Sequence, residues 1–232
     1  MIFPQPLIAA TLLRRYKRFL ADVRLSDGSM LTVHCPNSGS MMGCAEPGIA
    51  ACLSESENPK RKYRHTLEMV KPHECWVGIN TARTNDLVEE AVRQGLIGEL
   101  AHCKKLRREV VTSPGSRLDF QFDEAGRQVF MEVKNCSLAE NGTALFPDAV
   151  TSRGTRHLRE LMVLRKKGAR AIIFYLVQRS DTVRFMAAAH IDPLYSATLA
   201  EAAKRGVEVL AYQAEVTPVS ISVTRPLQVV VG

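Results

Sequence analysis

Apolar and polar positions alternate from Arg18 to Leu25, with Phe19, Ala21, Val23 and Leu25 set against Arg18, Asp22 and Arg24. That is the period of a half-buried strand, and Leu20 is its one exception. The cluster Ser26-Asp27-Gly28-Ser29 then turns the chain into Met30 to Cys35, where Leu31, Val33 and Cys35 alternate again, so a hairpin is predicted. Further strands are expected near 48–54, 63–70 and 74–80. About five short strands within 80 residues, broken by Pro, Gly and Ser, fit a small closed barrel of OB size better than an open sheet.

After Asn80 the period changes. Leu87, Val88, Ala91 and Val92 recur at helical spacing before Gly95 stops them, which predicts a helix over 86–95. Strands follow at 106–112, 117–122 and 128–136, with Asp123-Glu124-Ala125-Gly126 as the turn between the last two. A helix over 153–167, a nearly continuous apolar strand over 171–178, a helix over 193–205 and a strand over 207–212 complete the pattern. The fold class is therefore α/β (α+β overall): a β-barrel over residues 1–81, then an α/β domain with a mixed central sheet over 82–232.

Composition narrows the class without changing the picture. With 46% apolar and 24% charged residues the chain is neither disordered nor fibrous. Thirty-one Lys and Arg against 24 Asp and Glu leave a net charge of +7, which favours a polyanionic partner, nucleic acid before others; DNA is the partner expected. No apolar stretch reaches the roughly 20 residues that span a bilayer, and no secretory signal stands at the N-terminus, so a cytoplasmic protein without a membrane partner is expected. Six cysteines without a C-x-x-C pair suggest reduced, packed thiols, not zinc ligands or disulfides.

The candidate chemistry lies on the 117–136 hairpin. Arg117, Asp119 and Gln121 share one face of their strand, while Glu132 and Lys134 share a face of the return strand. With the turn centred between Ala125 and Gly126, paired positions sum to 251, and Asp119 stands directly across from Glu132. Opposed carboxylates repel, so the arrangement calls for a compensating cation such as Mg²⁺ or Mn²⁺, held by carboxylate oxygens and the Val133 backbone carbonyl, with Lys134 at its flank. Asp, a dozen residues, then Glu-x-Lys on a hairpin between helices is the arrangement of the PD-(D/E)XK nucleases. In that chemistry a metal activates water and lysine orients it. Acids and lysines also alternate on many solvated strands, which is the plainer alternative.

A second group is basic. Arg14-Arg15-Tyr16-Lys17-Arg18-Phe19 mixes cations with aromatic rings, as single-strand binders do for backbone contact and base stacking. The polar loop Pro36-Asn37-Ser38-Gly39-Ser40 suggests Asn37 and Ser38 as further contacts to phosphate or base. As a solvated strand end the basic run would need no function.

The strings Arg15-Tyr16-Lys17-Arg18-Phe19-Leu20-Ala21-Asp22-Val23, His34-Cys35-Pro36-Asn37-Ser38-Gly39-Ser40-Met41, Phe146-Pro147-Asp148-Ala149-Val150-Thr151 and Arg153-Gly154-x-x-His157-Leu158 resemble the signatures of the sugar fermentation stimulation protein A family. The resemblance covers both halves of the chain. It implies an OB-fold domain, a PD-(D/E)XK nuclease-like domain, nucleic-acid binding and a role in regulating sugar use. Carried over by position, it implies Asp119, Glu132 and Lys134 as catalytic and metal positions, and Glu90, in Asn85-x-Leu87-x-x-Glu90-Ala91, as the helical glutamate, with Glu89 as its rival. It also singles out Asp148, Arg153 and His157, of which Arg153 and His157, four apart on a helix, suit phosphate. A turn residue and a packed histidine are the alternatives for Asp148 and His157. Two functions stay open: a metal-dependent nuclease, and a non-catalytic DNA-binding regulator that keeps the nuclease fold as a platform. No helix-turn-helix is evident.

Overall fold

Among residues 1–113 and 115–231, which the computed structural model describes, the N-terminal unit comprises β1 (Ile8–Tyr16), β2 (Leu20–Leu25), β3 (Met30–His34), β4 (Ala50–Glu55), β5 (His65–Lys71) and the short β6 (Val77–Gly78). Their order is β3-β2-β1-β4-β5-β6, and a β3–β5 pairing at His34 and Thr66 closes the sheet into an OB barrel. Closure leaves few free edges, and Leu12, Ala21, Val23, Val33, Leu53 and Leu67 fill the interior. Two expectations are corrected here. The strand expected from Arg18 begins at Leu20, after a further strand, β1, that ends in Arg14, Arg15 and Tyr16; Lys17 and Arg18 turn the chain between them with left-handed φ of 47° and 63°. A register shift between Leu12 and Arg14 breaks the alternation of β1, which hides it from a period-two reading. The expected strand over 74–80 shrinks to the two residues of β6.

The second unit comprises α1 (Thr84–Arg93), β7 (Lys104–Ser113), β8 (Ser116–Glu124), β9 (Arg127–Cys136), β10 (Leu138–Glu140), β11 (Thr143–Phe146), α2 (Ser152–Lys166), β12 (Arg170–Val177), β13 (Arg184–Ala187), α3 (Pro193–Lys204), β14 (Glu208–Val216), β15 (Ile221–Pro226) and β16 (Gln228–Val230). The main sheet runs β15-β14-β12-β9-β8-β7. β9, β12 and β14 are mutually parallel and the outer pairs antiparallel, so the sheet is mixed. β12 is central and buried on both faces, which explains its unbroken apolar run. Ile172, Phe174 and Leu176 pack toward Leu87, Val88 and Ala91 of α1, while Ile173, Tyr175 and Val177 pack toward α2 and α3. A second sheet, β10-β11-β13-β16, flanks the first. None of the described helices is long and apolar enough to cross a membrane.

The barrel is fastened to the α/β unit by its 37–44 loop. Ser40 Oγ donates to the Asp148 carbonyl at 2.6 Å and the Met41 N–H to Asp148 Oδ2 at 2.8 Å. The Gly78 N–H donates to the Gln178 carbonyl at 2.9 Å. A Cβ on Gly39 would stand 2.6 Å from Asp148 Oδ2, so only glycine allows this approach. Residues 1–3 leave the barrel and pack on the second unit, where Phe3 joins the α1-side core and Ile2 bridges to Ser220.

Candidate functional site

The β8–β9 turn decides where the acids meet. Ala125 and Gly126 both have positive φ, 51° and 88°, the geometry of a two-residue type I′ hairpin, and Asp123 Oδ1 accepts from the Gly126 N–H at 3.2 Å. Glu124 pairs with Arg127 and Phe120 with Met131, the register that sums to 251. Asp119 follows directly, its side chain on the Glu132 side of the hairpin. Asp119 Oδ2 accepts from the Val133 N–H at 2.8 Å and Oδ1 from Asn85 Nδ2 at 2.9 Å.

Glu132 is 3% exposed, and its two oxygens live differently. Oε1 accepts from Lys134 Nζ and from His157 Nδ1. Oε2 is buried and has no partner among the described residues. Arg153 Nε stands 3.5 Å from His157 Nε2, which makes Nε2 the acceptor and assigns the proton to Nδ1. Lys134 Nζ and His157 Nδ1, 3.2 Å apart, are then two donors sharing one oxygen. Burial pushes the Glu132 carboxyl up, but the His157 hydrogen bond and the Lys134 charge outweigh it and hold it below the usual range. Asp119 goes the other way: burial, then repulsion from Glu132, raises its carboxyl above the ordinary value despite the Val133 and Asn85 bonds. Glu132 is compensated by the Lys134 ammonium and the His157 hydrogen bond, while no cation bonds Asp119 among the described residues.

These groups line a cavity of about 370 Å³, closed on the far side by Ser38 and Gly39 of the barrel loop, Asp148, and Arg153 at the start of α2. Asp119, Glu132, Val133, Lys134, Ser38, Asn37 and Arg153 therefore meet at one place, and His157 supports them from behind. Glu90 does not join them. It lies five residues beyond Asn85, about 140° further around α1, and its Oε2 takes the Met1 ammonium at 2.6 Å. Glu89 is bound to Arg93 at 2.6 Å and Arg108 at 3.3 Å. The helix residue that reaches Asp119 is Asn85, one turn earlier. Its signal was present in the same string, at the first position.

The basic run divides. Arg15 Nη2 donates to the carbonyls of Asn37, Gly39 and Arg18 at 2.7 to 2.8 Å, and Nη1 to Ser40 at 3.2 Å, so Arg15 shapes the loop and has little left for a ligand. Asn37 is committed likewise: Nδ2 donates to the Ile79 carbonyl and Oδ1 accepts from the Gly39 N–H. Arg14 pairs with Asp22 at 2.7 Å and stacks on Tyr16, whose hydroxyl also donates to Asp22. Lys17, Arg18 and Phe19 remain exposed on the β1–β2 turn.

A divalent ion between Asp119 and Glu132 fits what is present. The free, buried Oε2 lacks a positive partner, the opposed acids need one, and two carboxylates with waters and substrate oxygens are the habitual set for Mg²⁺. Among the described residues no third His, Cys, Asp or Glu completes an all-side-chain cage.

Residues 13–79 match the family described as the SfsA N-terminal OB domain, and residues 82–220 the one described as the sugar fermentation stimulation protein RE domain. A sugar fermentation stimulation protein homolog from Desulfotalea psychrophila is 54% identical over 93% of this chain and 92% of its own. The homolog from Geobacter sulfurreducens is 51% identical over 100% of each. The solved structure of Pyrococcus furiosus SfsA in complex with Ca²⁺ superposes with a TM-score of 0.91 at 27% identity, over 99% of this chain and 98% of that one. Both units match in order, at full length and at about half identity to the curated relatives: the chain belongs to the sugar fermentation stimulation protein family.

Proposed function

We propose that this protein binds DNA and hydrolyses its phosphodiester backbone at the Asp119–Glu132 pocket, using Mg²⁺ or Mn²⁺. The observation that carries this is Glu132 Oε2, a buried carboxylate oxygen with no partner beside a second, uncompensated acid. The bound ion would polarise a phosphoryl oxygen and lower the pKa of a coordinated water. Asp119, Glu132 and the Val133 carbonyl would hold it; Pyrococcus SfsA is a Ca²⁺ complex, and Ca²⁺ takes the same hard oxygen ligands. The chain's own groups do the rest. Asn85 and the Val133 N–H fix the Asp119 carboxylate, and His157 fixes Glu132 through Oε1, leaving Oε2 uncommitted among the described residues. Lys134, tethered to the same Oε1 at 2.5 Å, presents its ammonium where a scissile phosphate or attacking water would sit. The barrel loop at Ser38 narrows the entrance, and the exposed turn Lys17, Arg18 and Phe19 offers cations and a ring to the strand that leads in.

A non-catalytic regulator is the second reading. It is favoured by one observation: Glu90, the expected third acid, is turned to Met1. A role in sugar use belongs to either reading through the family. Pure protein incubated with labelled single-stranded and duplex DNA separates them. Cleavage with Mn²⁺ that EDTA abolishes is expected; binding without cleavage of any substrate would leave the regulator.

A further inference from the structure

The outward face of α2 carries a row of cations, of which only Arg153 bonds another side chain among the described residues. Arg153, Arg156, Arg159, Lys166 and the following Lys167 are exposed and fall within one side of the helix, over about 20 Å of its axis. Among the described residues, Arg156, Arg159, Lys166 and Lys167 have no ion pair and no side-chain hydrogen bond. Glu160, the one acid of the helix, makes no ion pair with them among the described residues; its Oε2 accepts from Ser113 Oγ at 3.2 Å. Arg153, Arg156 and Arg159 succeed one another at i, i+3, the spacing at which like charges on a helix repel. Arg153 also stands in the first turn, which contains no acid and where the helix dipole disfavours a cation. Each feature works against the isolated helix, and an anionic partner would relieve all of them. The row is not remote from the chemistry: its first member, Arg153, lines the acidic cavity and touches His157.

We infer that this face of α2 is the track along which a nucleic-acid backbone lies as it enters the Asp119–Glu132 pocket, with Arg156 and Arg159 contacting successive phosphates. The inference rests on the nucleic-acid reading above, and extends it from the pocket and the barrel turn to a surface of the α/β unit. Arg156→Gln with Arg159→Gln removes two cations without touching the cavity. Binding of fluorescent duplex DNA is measured against salt, with EDTA present so that no cleavage intervenes. The expected result is a slope of log affinity against log salt shallower by about 1.8, and roughly tenfold weaker binding at low salt, in a variant that melts no lower than the parent. Arg24→Gln with Lys204→Gln removes the same charge from β2 and α3 and should leave the slope nearly unchanged. An unaltered slope in the α2 variant, or an equal loss in the control, overturns the track. A parent that binds no DNA at all overturns instead the nucleic-acid reading beneath it.

Discussion

Glu68→Ala is expected to lower the stability of the protein by about 3 kcal/mol, with a fall in melting temperature on the order of 10 °C. Glu68 sits on β5 with its side chain fully buried, at the floor of a hollow of about 600 Å³ between the barrel and the N-terminal segment. Its carboxylate is saturated: Oε1 accepts from Ser54 Oγ at 2.6 Å and Arg83 Nη2 at 2.9 Å, and Oε2 from Asn80 Nδ2 at 2.8 Å and Arg83 Nε at 3.3 Å. Its backbone carbonyl also takes the N–H groups of Ile79 and Asn80. One side chain thus ties β4, β5 and the 79–83 segment, where the barrel ends and the α/β unit begins. Removing it leaves a guanidinium, an amide and a hydroxyl without partners, which costs more than the pair itself is worth. Arg83 is about one-third exposed, so water recovers part of its loss and the lower end of the usual range applies. A loss below about 1 kcal/mol in thermal or urea unfolding would show that the network only decorates the junction.

Lys134→Met should reduce phosphodiester cleavage by on the order of 100-fold or more while leaving Mn²⁺ binding intact or tighter. The direction follows from what Lys134 touches. It competes for Glu132 Oε1 and contributes positive charge beside the cation position, so its removal favours the metal electrostatically. Its ammonium can turn from Glu132 toward a phosphate while His157 still bonds Glu132 Oε1; Arg153, the other cation lining the pocket, stands at His157 Nε2. Glu132 keeps His157 as a partner, so the variant folds. Turnover by Lys134→Met equal to that of the parent would remove lysine from the chemistry and point to a contaminating nuclease.

Much of this site was legible because hairpin arithmetic is local. The turn at Ala125-Gly126 specifies the register, and the register places Asp119 beside Glu132 with no knowledge of the rest of the fold. What depends on long-range packing was less legible. Glu90 and Asn85 sit on one helix, and only the way α1 lies against β9 and β15 decides which of them faces the sheet. Arg15 and Asn37 read as binding residues because they are polar and clustered, yet the loop they decorate must close on the Asp148 latch, and both are consumed in shaping it. The β10–β11 hairpin falls outside the strands expected from periodicity although Asn141-Gly142 marks it plainly, both residues having positive φ, 48° and 74°. Its strands are three and four residues long, too short for a period-two signal. β1 failed for another reason, a bulge that breaks alternation within it.

The most direct measurement is calorimetric titration of Mn²⁺ into the metal-free parent and into Asp119→Asn. In EDTA the variant should melt no lower than the parent, because the amide keeps an acceptor for the Val133 N–H and removes the charge that burial and Glu132 disfavour. Saturable binding of one ion in the parent, lost in the variant, is the result the Asp119–Glu132 site predicts; equal affinity in the two proteins would contradict it.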